Sequence, residues 1–481
     1  MKILFAVWEL NPFFHVGGLG DVARSLPKVL YSLGTDIRVI LPYYKALKLH
    51  KQKQESVRKF TIDFDGKKEM VKIFKIHFLN STLPVYIVKN ENYLDVPLKP
   101  TETFAFFNLV VVEILKNNYL SWQPEIIHCN DYHTALIPFL VKHNHLKYKT
   151  LLTIHNLNHQ GKAHPNTITK MGISPKICRV INWEIKKKQI NFLLEGIVHA
   201  DLVNTVSPTY SKEILAEEYG AGLDEILINE KQKISGILNG IDYDFRSPQM
   251  NRSIFYHYDL NHKNVKDASY KIYPPIEGKK MNKKTLQEKL GFQVSDDLPL
   301  IGFIGRFDNK QKGLDIMHKM LLRLNMKNYQ FIFLGRGNHE WEEKFNWFAS
   351  FYPKNVHCQF VFDNSLASQI YTASDFLLIP SKYEPCGLIQ MIAMHYGTIP
   401  VARATGGLKD SIIDGVDGFL FKRYTSFDLE KKLKEAVRIR KNDKEKFNKI
   451  IFAAMKKDFS WDKSAKEYLI LYQKMIDNQT Q

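Results

Sequence analysis

The chain has little cysteine and no long hydrophobic run. Its four cysteines, Cys129, Cys178, Cys358 and Cys386, are scattered through 481 residues, and none forms the short-spaced pair of a zinc ribbon or a redox motif. A reducing, intracellular setting is expected. No stretch reaches the roughly 20 apolar residues needed to span a bilayer, so an integral membrane protein is not expected. The opening MKILFAVWELNPFF is apolar but broken by Glu9 and Asn11, which fits a buried first strand better than a secretory signal. There is no G-x-S-x-G elbow, which removes the serine hydrolases built on that turn. No usable internal repeat or low-complexity tract is present.

What is there is bulk and positive charge. With 44% hydrophobic residues over 481 positions, the chain exceeds one hydrophobic core and suffices for two. The formal charge of +18 invites a nucleic-acid reading, because clustered Lys and Arg neutralise phosphates. Here the cations are dispersed, and the short runs at 186–188 and 279–284 read as solvated faces. Neither nucleic acid nor membrane is an expected partner.

Strand-like and helix-like segments alternate, the pattern of parallel sheets covered on both faces. The fold class is therefore α/β. In the first half, strands are expected at 2–7, 36–41, 85–88, 125–128, 150–154 and 202–206, with an antiparallel hairpin over 59–78 turning at Asp65-Gly66. A second alternation runs through 298–304, 330–334, 359–362, 376–379 and 398–401. Turn residues over 239–248 place a boundary near residue 243, giving domains 1–243 and 244–458. The last pattern, 460–475, is an amphipathic helix with Ser460 at the N-cap position and Trp461 available to anchor it against the first domain.

Three glycine loops stand out. Residues 380–411 read PSKYEPCGLIQMIAMHYGTIPVARATGGLKDS, two loop-to-helix passages separated by an apolar helix and a strand. Turns at 385–387 and 405–407 would deliver backbone N–H groups to helix starts, where anions bind without a metal. Glu384 adds a carboxylate able to accept hydrogen bonds from hydroxyls. This is how a nucleotide-sugar site is usually built. The third loop, HVGGLGDV at 15–22, matches a relaxed G-x-G-x-x-A dinucleotide pattern through Gly18, Gly20 and Ala23. Two details oppose that reading: about eight residues separate the first strand from Gly17, and Asp36 precedes the second strand rather than closing it. A structural turn remains as good a reading of this loop as a ligand site. Loops from opposite chain ends suggest two lobes facing one cleft.

Arg306 ends a strand and Lys312 starts a helix, a spacing that lets both meet one anion at the C-terminal edge of a parallel sheet. Alone the pair could be an ordinary ion pair and a solvated lysine, but it shares a domain with the Glu384 and Thr405 loops. In the first half, polar clusters follow strands: His128, Asp131 and His133, then His155, Asn156, His159 and Gln160. The Asp-x-Asp sequences at Asp63 and Asp242 could chelate a cation, but both sit in turn contexts and the Arg/Lys pair already supplies positive charge, so no metal is expected.

Taken together and in order, GGLGDV at 17, HCNDYHTAL at 128, TIHNLNHQG at 153, TVSPTYSKEI at 205, GILNGID at 236, GRFDNKQKGLD at 305, PSKYEPCGLIQ at 380, YGTIPVARATGGLKD at 396 and DFSWDKSAKEYL at 458 make the chain resemble the bacterial glycogen synthases and plastid starch synthases. These enzymes extend α-1,4-glucan from ADP-glucose. The resemblance runs nearly end to end. It implies two Rossmann-like lobes of the glycosyltransferase B architecture and a last helix, 459–481, crossing back to the first. It implies a retaining glucosyl transfer with ADP-glucose and glucan as substrates and no cofactor, in the cytoplasm or, for a mature plant or algal chain, the plastid stroma. Arg306 and Lys312 would hold the diphosphate, and Glu384 the donor sugar. Cys386, Gly387, Leu388, Thr405, Gly406 and Gly407 would complete donor contacts, with His15, Gly17, Gly18 and Asp21 opposite. Asp131, His155, Asn156, Gln160 and Asn239 would position glucose and acceptor.

Departures from the family pattern bear on specificity. His15 stands where the family usually has Lys, which affects donor affinity, nucleotide choice and pH dependence. The loop at 93–102 is shortened. One extra residue separates Arg306 from Lys312, near Asn309 and Lys310, and Ile392 occupies a place where related retaining transferases carry a second Glu. Two alternatives follow: a catalytically weakened glucan-binding or regulatory protein, or another retaining glycosyltransferase using UDP-glucose or a different acceptor.

Overall fold

The computed structural model describes residues 1–14, 16–49, 52–78, 81–95, 99–178, 189–244, 246–260 and 270–477. They form two compact units, Met1–Asn239 with Trp461–Gln481, and Gly240–Ser460. The chain thus leaves the first unit at Asn239, four residues ahead of the expected 243, and re-enters it at Trp461 rather than 459.

In the first unit, the strands are β1 (Lys2–Ala6), β2 (Asp36–Pro42), β3 (Glu55–Phe64), β4 (Lys67–His77), β5 (Pro84–Lys89), β6 (Ile126–Asn130), β7 (Lys149–Ile154), β8 (Leu202–Thr205) and β9 (Ile234–Gly236). They form one sheet in the order β9-β8-β7-β6-β1-β2-β5-β4-β3. All pairs from β9 to β5 are parallel, and the β3–β4 hairpin adds two antiparallel pairs. Its turn sits at Asp65 and Gly66, with φ of 53° and 70°, the left-handed pair that matches strand twist.

Period-two alternation divides the core between the sheet's faces. Ile3, Phe5, Ile37 and Val39 bury against the helices Gly18–Ser32 and Trp461–Asp477. Leu4, Ala6 and Ile40 bury against Pro100–Lys116, Leu136–His143 and Phe192–His199. The last helix presents Trp461, Ala465, Tyr468, Tyr472 and Met475 at helical spacing, all buried. Its two tyrosines end on buried polar groups: Tyr472 Oη lies 2.7 Å from His128 Nδ1, and Tyr468 Oη accepts from Asn204 Nδ2 at 3.0 Å. His128 Nε2 meets Thr153 Oγ1 at 2.8 Å, so both ring nitrogens are partnered. Burial pushes the His128 pKa down to about 3.

The second unit holds a six-stranded, wholly parallel sheet: β10 (Leu300–Ile304), β11 (Gln330–Leu334), β12 (Val356–Gln359), β13 (Phe376–Ile379), β14 (Ile399–Arg403) and β15 (Phe419–Phe421), in the order β12-β11-β10-β13-β14-β15. The strand expected at 359–362 lies three residues earlier. Of that segment Phe360 packs on Phe307 at 5.2 Å, whereas Val361 and Phe362 are 45% and 82% exposed. The three-residue strands β9 and β15 were too short for periodicity to reveal.

The cationic run 279–284 is a solvated face only in part: Lys280 and Lys284 are exposed, but the other two lysines are not. Its helix, Pro275–Lys289, turns Lys279 and Lys283 inward, 7% and 4% exposed. Lys279 Nζ reaches Thr372 O, Ser374 O and Thr398 Oγ1 within 3.0 Å and Tyr396 O at 3.4 Å. Lys283 Nζ pairs with Asp375 Oδ2 at 2.9 Å. Lysines four apart share a helix face, and here that face meets carbonyls and a carboxylate. The run at 186–188 lies outside the described residues.

Candidate active site

Both sheets reverse their strand order at one place, and open α/β sheets bind ligands past the carboxyl ends of the strands flanking such a point. In the second unit the reversal falls between β10 and β13, whose following loops carry Arg306 and Glu384. In the first it falls between β1 and β6, and the loops there carry Glu9, Gly17 and Asp131.

Lys312, just before the helix Leu314–Leu321, places Nζ 2.7 Å from Glu384 Oε2. Ser381 Oγ donates to the same oxygen at 2.9 Å. Glu384 is 6% exposed, and its Oε1 meets no hydrogen-bond partner among the described residues. Arg306 is held differently: Nη2 donates to Gln311 Oε1 at 2.9 Å, and its side chain is 54% exposed. Gln311 in turn donates from Nε2 to Tyr383 O at 3.3 Å and accepts Lys382 N–H on its own carbonyl at 2.7 Å. The turn before it is closed by Asp308 Oδ1, which accepts from the backbone N–H of Lys310 and Gln311. Pairing with Glu384 and Gln311 thus pre-places both cations.

The two passages of 380–411 are sewn together, which changes what their glycines do. A Cβ on Gly406, whose φ is +45°, would lie 1.9 Å from Glu384 O, and one on Gly407 would lie 2.1 Å from Cys386 O. Gly407 N–H donates to Glu384 O at 3.1 Å, so this N–H, expected to face an anion, is used internally. The helices that follow, Ile389–His395 after Leu388 and Gly406–Ser411 after Thr405, are short and lack side-chain caps. Gln390 fastens them: its Nε2 reaches Cys386 O, Gly387 O and Ser411 Oγ at 3.1, 2.7 and 3.0 Å. Sequence reading missed Gln390 and Gln311, whose neutral side chains carry no chemical signature of their own.

In the first unit, β6 and β7 end side by side. Asp131 follows β6 with a left-handed φ of 54°, which is strained for a residue with a Cβ. Its Oδ1 accepts the backbone N–H of His155 at 2.7 Å and of Asn156 at 3.3 Å. Burial pushes the Asp131 pKa up to about 7 against the opposing pull of these two N–H groups. His155 Nε2 lies 3.0 Å from Asn130 Oδ1, and burial lowers its pKa to about 3.

Other expected site residues are placed with less freedom. Gly17 N–H and Val16 N–H donate to buried Glu9 Oε2 at 3.1 and 2.5 Å, so Gly17 offers a ligand no free N–H. Gly18 opens the helix Gly18–Ser32, and Asp21 in its first turn accepts from Asn11 Nδ2 at 2.6 Å. Gln160 is engaged at both ends of its amide, donating to Ala221 O at 3.0 Å and accepting from Asn191 Nδ2 at 2.8 Å; it acts as a strut. Asn156 Oδ1 is used locally by Asn158 N–H at 3.1 Å. Asn239 is 5% exposed, and its buried Oδ1 has no hydrogen-bond partner among the described residues. His133 stacks on Trp8 at 4.5 Å and 15° and meets Phe104 edge-on, an aromatic packing role. His15 lies outside the described residues, as do 96–98 of the loop expected to be shortened.

Asp63 sits in β3 opposite Lys68. Among the described residues no group of three or more His, Cys, Asp or Glu is arranged to hold a metal ion, and no helix is long and apolar enough to cross a membrane.

Comparison with known proteins bears on the family and the fold. Residues 2–229 match the starch synthase catalytic domain and residues 284–453 match glycosyl transferases group 1. The chain is 38% identical to a glycogen synthase of Pseudothermotoga lettingae, with 99% of each chain covered. It is 36% identical to one of Streptococcus sanguinis, covering 99% of this chain and all of the relative. Among solved structures it is similar to the catalytic domain of starch synthase IV from Arabidopsis thaliana, bound to ADP and acarbose, at a TM-score of 0.87 and 29% identity over 99% of both chains. A sucrose-phosphate synthase from Thermosynechococcus elongatus, 16% identical with 99% of both chains covered, shares the fold at a TM-score of 0.61. The chain belongs to the glycogen synthase and starch synthase family, glycosyltransferases of the glycosyltransferase B architecture.

Proposed function

We propose that the chain lengthens α-1,4-glucan by transferring glucose from ADP-glucose to a terminal 4-hydroxyl with retention of configuration. The observation that carries the site reading is the Lys312–Glu384 pair at the switch point of the second sheet, with Arg306 on the neighbouring strand end. Arg306 and Lys312 take the diphosphate and stabilise the charge it gains as the C1–O bond breaks, the work of preorganised cations. They supply this charge without a metal. The acceptor oxygen bonds to C1 on the face that ADP leaves, through an oxocarbenium-like state, and its proton passes to the departing diphosphate.

Glu384 Oε1 accepts from hydroxyls of the donor glucose. Thr405 and Gly406, the latter packed against Glu384 O, complete the donor contacts, and Cys386, Gly387 and Leu388 contribute through their backbone. In the first unit, Asp131 fixes the His155-Asn156 turn, His155 presents its ring to the sugar, and Asn239 Oδ1 accepts a hydrogen bond from a hydroxyl that would satisfy its orphaned lone pair. The setting we assign is the cytoplasm, where the four free thiols stay reduced.

Lys312→Ala tests the diphosphate role: kcat with ADP-glucose and glycogen primer is expected to fall roughly 10²–10³-fold, the scale of losing one charge-stabilising donor. Full turnover in that variant would rule the role out.

A further inference from the structure

Asn130 ends β6 beside the switch point of the first sheet, 1% exposed. Its amide cannot be turned around: Nδ2 donates to Ala6 O across the β1–β6 junction at 3.0 Å and approaches His128 O at 3.5 Å, and a carbonyl accepts only from the nitrogen end. Its backbone is pinned as well, because Thr134 Oγ1 accepts Asn130 N–H and donates to Asn130 O. Oδ1 is therefore left pointing at His155 Nε2, 3.0 Å away. An amide oxygen can only accept, so the proton between them must sit on Nε2. The other ring nitrogen, Nδ1, then bears a lone pair, and among the described residues it meets no hydrogen-bond partner.

We propose that Asn130 is a positioning residue that locks His155 as the neutral Nε2–H tautomer, so that Nδ1 stands ready to accept a hydrogen bond from a hydroxyl of the sugar. This rests on the placement of His155 in the proposed function. The surroundings support a neutral ring. The nearest carboxylate, Asp131, is spent on the His155 and Asn156 backbone N–H groups rather than on the imidazole. Glu9 faces Asp131 and caps the Val16 and Gly17 N–H groups. The other titratable neighbours, His128 and His133, are themselves held uncharged by burial. A neutral acceptor suits a hydroxyl, whereas an imidazolium would offer a second donor and add charge beside an oxocarbenium-like centre.

The test is ¹⁵N NMR of the full chain labelled at histidine, with His155→Gln assigning the signal, from pH 5.5 to 8. Nε2 is expected to be protonated and Nδ1 bare throughout. In Asn130→Asp the carboxylate that replaces the amide raises the His155 pKa, so Nδ1 takes up a proton within this range and the kcat–pH profile gains the same midpoint. Asn130→Ala, which removes the lock without adding charge, is expected to lower kcat about ten-fold. A protonated Nδ1 in the unaltered protein, or an Asn130→Asp spectrum that does not move, overturns the lock. A bare Nδ1 with full turnover and an unchanged pH profile in both Asn130 variants leaves the lock intact but overturns its catalytic use, and with it the placement of His155 at the sugar.

Discussion

Lys312 Nζ and Glu384 Oε2 lie 2.7 Å apart, on loops that leave adjacent strands of one parallel sheet. The pair is mostly buried, with side chains 15% and 8% exposed, so removing one partner strands the other. Lys312→Ala and Glu384→Ala are each expected to depress kcat, but the double variant should lose less than the two effects combined. The coupling read from the four kcat values is expected to be about 1–3 kcal/mol. Strict additivity would mean that the two groups act independently.

The contact of Gly407 with Cys386 O makes a second expectation. Gly407→Ala must separate the two passages that carry Glu384 and Thr405, and overpacking of this kind costs about 1–3 kcal/mol. Because a displacement of about 1 Å costs up to ~10²-fold in rate, kcat should fall by more than tenfold. Gly415→Ala is the control: its φ is +75° but nothing lies within 4 Å of the added Cβ, so about 1 kcal/mol of stability is lost and kcat is kept. Equal kcat losses at both positions would contradict the reading.

Tyr472 and His128 predict how the last helix is held. Tyr472→Phe leaves buried His128 Nδ1 without its partner, costing about 1–3 kcal/mol. Ile470→Ala, at a side chain 71% exposed on the same helix, should change stability by about 0.5 kcal/mol or less. Hydrogen exchange at the β6 and β7 amides, which reads the strands next to this contact, is the measurement. Equal protection in the two variants would contradict it.

These particulars show what sequence could convey. Short apolar runs bounded by turns made most strands of both sheets legible, because parallel strands buried on both faces read that way. The residues with strong chemistry, Arg306, Lys312, Glu384, Asp131 and His155, stood out because each follows such a run. Gln311, Gln390 and Asn130 did not: they are neutral amides whose role comes from which carbonyl each meets in the folded chain. Lys279 and Lys283 were misread for the converse reason. Charge marks a residue as exposed by default, and only tertiary contact with Asp375 and four backbone or hydroxyl oxygens explains their burial.

Acid sensitivity follows from the buried histidines. His128 and His395 have pKa values lowered by burial to about 3 and about 4, so below the unfolded value of about 6.5 the unfolded chain binds more protons and stability falls. Between pH 7 and 5.5 each contributes a loss of about 1 kcal/mol. Asp131, raised to about 7, works the other way, because its folded form takes up a proton as pH falls through 7. Net stability, read as the denaturant midpoint, is expected to decline over this window, and more steeply in Asp131→Asn. A midpoint that rises on acidification would contradict this.

The most direct measurement is primer elongation by the purified chain, with ADP-glucose or UDP-glucose as donor and maltooligosaccharide as acceptor, with and without chelator. Lengthening from ADP-glucose that the chelator leaves unchanged is expected, because Arg306 and Lys312 supply the charge. Transfer from UDP-glucose alone, loss of activity with the chelator, or glucan binding without any transfer would contradict it.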